Sequence, residues 1–250
     1  MRTAMSSETL STATPTQAPA PAATRRVVDA PTRMLHWLMA LSFVGAYLTA
    51  DGERWRLVHV TLGYTLAGLV TTRLLWGLFG PRQVRLSILW RRLQGLPAWA
   101  RGLLAVRTPQ TLRAAWRPGQ SLLMALAIAL ILALVLPLTL SGYAVWDEWG
   151  GEWLEEVHEF FGNALLFVAL AHIGLIMLLS VLRSKNQALP MLTGRIPGTG
   201  SDVAKKNHGI LAIVVLAGTL AFWAWQWHVA PHAPAQEAAQ WSENRQDHDD

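Results

Sequence analysis

A chain of 250 residues that is 52% hydrophobic and only 15% charged reads as an integral membrane protein rather than a soluble domain. It has no cysteine, which excludes disulfides, thiolate zinc sites, iron–sulfur clusters and thioether-linked haem and leaves histidine as the obvious metal ligand. The net charge of +5 does not argue for nucleic acid, because the basic residues fall in loops beside apolar stretches, where the positive-inside rule puts them.

Residues 1–26 are rich in Ser, Thr, Ala and Pro and lack an apolar core, so they read as a disordered cytoplasmic tail rather than a signal peptide. The first membrane span is expected over 31–50, opened by Pro31, which suits a first helical turn. A charged turn over 51–56 leads to a second span over 57–79, closed by Gly80-Pro81. The connection 82–118 carries eight arginines and no acidic residue. Its Leu and Trp residues recur at spacings of three and four, as in one or two amphipathic helices lying on the membrane surface; a solvated basic loop is the alternative.

A third span is expected over 120–143 and a fourth over 154–182. The loop between them holds Asp147, Glu148, Glu152, Glu155 and Glu156 and no basic residue. After the basic segment 183–206, a fifth span is expected over about 208–227, then a polar tail, 230–250, read as disordered and periplasmic. The Lys and Arg bias places the N-terminus in the cytoplasm and the C-terminus outside, with five crossings between.

Four histidines lie in or at the edges of the first four spans: His36, His59, His158 and His172. His158 and His172 are fourteen residues apart, which on a helix brings both to one face, about 21 Å apart along the axis. Depth pairs His59 with His158 on the outer side and His36 with His172 on the inner side. Ionisable groups inside a membrane are costly and generally functional. Two imidazoles from facing helices are what a b-type haem needs as axial ligands, so two haems are expected. Gly63 and Gly162 each follow a histidine by four residues, which leaves a flat face for a macrocycle; ordinary small-residue helix packing explains them as well. Arg73, fourteen residues after His59, is placed to pair with a propionate of the inner haem or to snorkel to the cytoplasmic surface. Arg33, one turn before His36, is a second candidate for that pairing.

The segments RRVVDAPTRMLHWLMALSFVGAYLTA, ERWRLVHVTLGYTLAGLVTTRLLWGLFGPR and WLEEVHEFFGNALLFVALAHIGLIMLLSVL, with a following MLTGR, resemble the prokaryotic cytochrome b561 family. That group includes the b-type cytochrome subunits of nickel–iron hydrogenases. The resemblance implies an all-α integral membrane protein with a four-helix transmembrane di-haem bundle over residues 27–196, here followed by a linker and fifth transmembrane helix over 197–229. It implies haem ligation by His36, His59, His158 and His172, and electron exchange with quinone or a partner redox protein. One departure is Trp116-Arg117-Pro118-Gly119, where many relatives carry a His-Asn-Pro-type segment.

The expected function is therefore electron transfer across the membrane between a quinone/quinol pool and a redox partner, with quinone oxidoreductase activity left open. Two alternatives remain: an obligate membrane-anchor subunit of a hydrogenase-like complex, and a haem-free transporter or scaffold. The acidic outer loop suits a basic partner such as a periplasmic c-type cytochrome, although membrane topology alone also accounts for it.

Overall fold

The computed structural model describes residues 23–229; the tails 1–22 and 230–250, expected to be disordered, lie outside the described residues. The elements run β1 (Thr24–Arg26), α1 (Ala30–Leu48), α2 (Arg56–Phe79), α3 (Leu86–Leu93), α4 (Leu96–Leu104), α5 (Pro109–Trp146), α6 (Trp153–Arg183), α7 (Leu189–Thr193), β2 (Arg195–Pro197) and α8 (Gly209–Val229). Single 3₁₀ turns precede α2 and α3.

Local signals explain the helix starts. Asp29 caps α1 by accepting the Thr32 N–H on its side chain at 3.1 Å, with Pro31 in the first turn. Thr108 and Thr111 form a capping box at the start of α5. That cap begins the helix eleven residues before the expected third span, so α5 takes up the end of the basic connection and passes through Pro118. A proline ring cannot bond the carbonyl of the residue four positions back, but that residue, Ala114, is exposed and its carbonyl can be hydrated. The remainder of the connection folds as α3 and α4.

The expectation of disorder as far as residue 26 also needs correction. Thr24–Arg26 pairs antiparallel with Arg195–Pro197, Arg25 opposite Ile196. The strand is held by polar bonds: Arg26 N–H to Asp202 Oδ1 at 2.6 Å, and Arg195 Nε to Thr24 Oγ1 at 2.8 Å. Such a short polar strand has no hydrophobic pattern to betray it.

Four helical stretches are long and apolar enough to cross a membrane: Glu53–Phe79, Pro118–Trp146, Trp153–Arg183 and Gly209–Val229. The 19-residue α1 is not among them; it packs on α2 and on α8. α5 packs along α6, and α2 touches α5, so two helix pairs stand side by side with α8 on the flank. The interior is apolar, with Phe43, Leu66, Val70, Val135, Leu138 and Leu165 in one cluster and Leu35, Leu38 and Leu69 in another against Val215 and Leu216. Outward faces carry large exposed apolar side chains, Phe167 and Val181 on α6 and Ile210 and Ile213 on α8. In a bilayer, lipid covers such faces, and association rests on close packing instead. Gly45 shows that packing: a Cβ there would lie 2.6 Å from Leu62 Cδ1, so α1 and α2 meet through the missing side chain.

Candidate cofactor site

The N-terminal part of α1 is tied to α7. Arg33 Nη1 donates to the Leu192 carbonyl at 3.1 Å, and Trp37 Nε1 donates to the Met191 carbonyl at 3.0 Å. Gly194 then turns the chain in the left-handed region (φ 76°), and its carbonyl accepts from the Val27 and Val28 N–H groups. A Cβ on Gly194 would sit 2.8 Å from the Val28 carbonyl oxygen. The MLTGR segment is thus the docking partner of the segment DAPTRMLHW, and together they fix the start of the helix that presents His36.

His36 is half-buried on α1, its ring edge-on to Trp37 at 5.4 Å between centroids. It lies within electrostatic reach of His172 on α6. The Nδ1 atom of His172 is buried and has no hydrogen-bond partner among the described residues. A buried polar atom left bare costs about 1–3 kcal/mol, so this one marks a place where something else belongs.

A second histidine pair is in direct ring contact. The rings of His59 on α2 and His158 on α6 have centroids 6.0 Å apart and planes 80° apart. Two imidazoles on opposite sides of one metal ion, with metal–nitrogen bonds of about 2 Å, bring their centroids to roughly this separation. His59 Nδ1 is 2.8 Å from the Ala46 carbonyl near the end of α1, which also accepts from the Thr49 N–H and the Thr49 hydroxyl at 3.2 Å each. His158 Nδ1 is 3.1 Å from the Leu138 carbonyl and 3.3 Å from Ser141 Oγ on α5. A carbonyl only accepts, so each Nδ1 carries the proton and each Nε2 keeps a bare lone pair. This is the tautomer of a metal-binding histidine oriented by its surroundings.

The two glycines behave differently. A Cβ on Gly63, half-buried one turn beyond His59, would meet nothing within 4 Å, so there is free space beside that ligand candidate. On Gly162 it would meet Leu138 Cδ1 at 3.8 Å, ordinary helix packing against α5. Arg73 is half-buried in the C-terminal part of α2, with both Nη atoms 3.4 Å from the Val84 carbonyl. Arg33 keeps a buried Nε without a partner among the described residues.

Sequence reasoning assigned α5 no part in the site, yet α5 supplies the acceptors that hold His158. Gly142 makes room for the imidazole: a Cβ there would be 2.7 Å from His158 Cε1. Leu138, Ser141 and Gly142 stand at i, i+3 and i+4, one helix face. A small-residue pair opposite a candidate ligand is the signal that would have found them.

The residues fit haem. Among the described residues no cluster of three or more His, Cys, Asp or Glu forms a metal site, whereas a haem iron asks the protein for only two imidazoles.

The fold and this arrangement define a class: helical membrane proteins in which histidines from separate helices face one another. Residues 27–194, from just after β1 to the glycine that ends α7, match the model of the prokaryotic cytochrome b561 family, and the chain belongs to that family. Membership implies haem b and makes the chain a membrane cytochrome. No curated protein and no solved structure matches it.

Proposed function

We propose that the chain is a di-haem cytochrome b that carries electrons across the bacterial inner membrane between a quinone/quinol pool and a redox partner. The observation that supports this best is the outer histidine pair, with its ring separation of 6.0 Å and with each Nδ1 committed to a backbone carbonyl. His59 and His158 would hold the outer haem and His36 and His172 the inner one. Arg33 and Arg73, both at the inner end, would offset propionate charge there. The haems supply one-electron carriers within the bilayer. The helices orient the imidazoles and keep His59 and His158 as neutral Nε2 donors through their Nδ1 contacts. Both ligand pairs include α6, and its fourteen-residue interval sets their separation along the helix at about 21 Å. In this reading α1 crosses the membrane as well, giving five crossings with the N-terminus inside.

The test is a reduced-minus-oxidised spectrum of the purified chain with pyridine-haemochrome quantification. Two b-type haems per chain are expected. His36→Ala and His172→Ala should remove one and the same component, and His59→Ala and His158→Ala the other. A single haem per chain, or His172→Ala with its haem content intact, refutes the two-pair assignment. Reduction of the isolated chain by quinol supports an autonomous carrier, whereas a stably associated large subunit identifies an anchor instead.

A further inference from the structure

The two imidazoles of the outer pair are not held alike. His59 Nδ1 has the Ala46 carbonyl at 2.8 Å. His158 Nδ1 faces two acceptors on α5, the Leu138 carbonyl at 3.1 Å and the Ser141 hydroxyl at 3.3 Å. Ser141 is 7% exposed, and its own hydroxyl proton is given to the Leu138 carbonyl at 3.1 Å. The direction of every proton in this triangle follows. The Leu138 carbonyl accepts, Ser141 donates to it, and the Ser141 lone pairs are left to receive the His158 N–H. Gly142 closes the arrangement, because any side chain there would push the ring off both acceptors.

We propose that Ser141 is a positioning residue that sets the redox potential of the outer haem through His158. The inference rests on the assignment of His158 as an axial ligand. An imidazole whose Nδ1–H is shared with two oxygen acceptors is a more basic ligand through Nε2. A more basic ligand favours ferric over ferrous iron, so the Ser141 hydroxyl holds the potential down. Taking the hydroxyl away leaves the Leu138 carbonyl as sole acceptor, and the potential rises. The inner pair lies fourteen residues along α6 and shares none of these contacts.

Two variants of the full chain test this: Ser141→Val, which loses the hydroxyl, and Ser141→Thr, which matches valine in shape and volume but keeps the hydroxyl. The readouts are the midpoint potentials of the two haem components, from a spectroscopic redox titration, and the EPR signals of the ferric forms. Ser141→Val is expected to raise one component by up to about 59 mV, the equivalent of about a tenfold change for a one-electron couple. The other component should stay in place, and Ser141→Thr should follow the wild type. Loss of one haem in Ser141→Val but not in Ser141→Thr also supports the proposal. Equal shifts in both variants, no shift in Ser141→Val, a shift of the inner component, or haem loss in both variants overturns it. Failure of the ligand assignment itself looks different: the wild type then shows one component, or His158→Ala keeps both.

Discussion

Gly142→Ala sets a gain in the helix against a loss in the site. The new Cβ would lie 2.7 Å from Cε1 and 3.1 Å from Nδ1 of His158. Carbon atoms rest at about 3.5–4.0 Å, so the ring has to retreat by about 1 Å. For the helix alone the change is favourable, since alanine in a helix interior is better than glycine by about 1 kcal/mol. Against this stand the hydrogen bonds to His158 Nδ1, worth about 0.5–1.5 kcal/mol each. These contributions nearly cancel, so the fold should survive. The ligand geometry has no such compensation, because a displacement of about 1 Å is half of a metal–nitrogen bond of about 2 Å. The variant should accumulate in membranes like the wild type and melt within a few degrees of it, while one haem per chain is lost and the other stays. Pyridine-haemochrome quantification and a thermal melt of the same sample read both halves. Full haem content with unchanged potentials would refute the reasoning, since His158 would then not be a ligand pressed against α5.

Two further outcomes follow from the structure. Gly194→Ala places a side chain in the left-handed region, at a cost of about 1–2 kcal/mol, and against the Val28 carbonyl at 2.8 Å. It should lower the melting temperature and loosen α7 from Arg33 and Trp37, which appears as faster amide exchange in residues 189–195; an unchanged melt contradicts this. Reporter fusions test the orientation. An export-dependent phosphatase joined after Val229 should be active and one joined within 86–104 inactive, and the reverse pattern would invert the proposed topology.

The parts of the site that were legible in the sequence are those written along one helix. The interval between His158 and His172 fixes a shared face through helix periodicity alone, and depth along each span suggests which histidines meet. What escaped depends on contacts between distant segments. The Leu138 carbonyl is a backbone group with no sequence signature, and Ser141 and Gly142 look like ordinary small residues until α6 is laid beside them. The β1–β2 pair is a few polar residues drawn together by Arg195, Thr24 and Asp202, across more than 170 positions of chain. The start of α5 escaped for a different reason. The third span is expected from residue 120, but the Thr108 cap starts the helix before Pro118, and the exposed Ala114 tolerates the lost bond.

The two helix pairs bear on how the chain is made. α1 with α2, and α5 with α6, are each joined by a short turn, 49–55 and 147–152, while the connection between the pairs, 80–108, holds six arginines. In the proposed orientation, the insertion machinery has to translocate only two short turns, with one basic residue between them, within the first 183 residues. The arginine-rich segment stays on the ribosome side throughout, where α3 and α4 can settle on the membrane surface as they emerge. Each hairpin has its own helix–helix seam, α1 against α2 and α5 against α6, so in that orientation the histidines of the two halves meet only when the hairpins come together side by side.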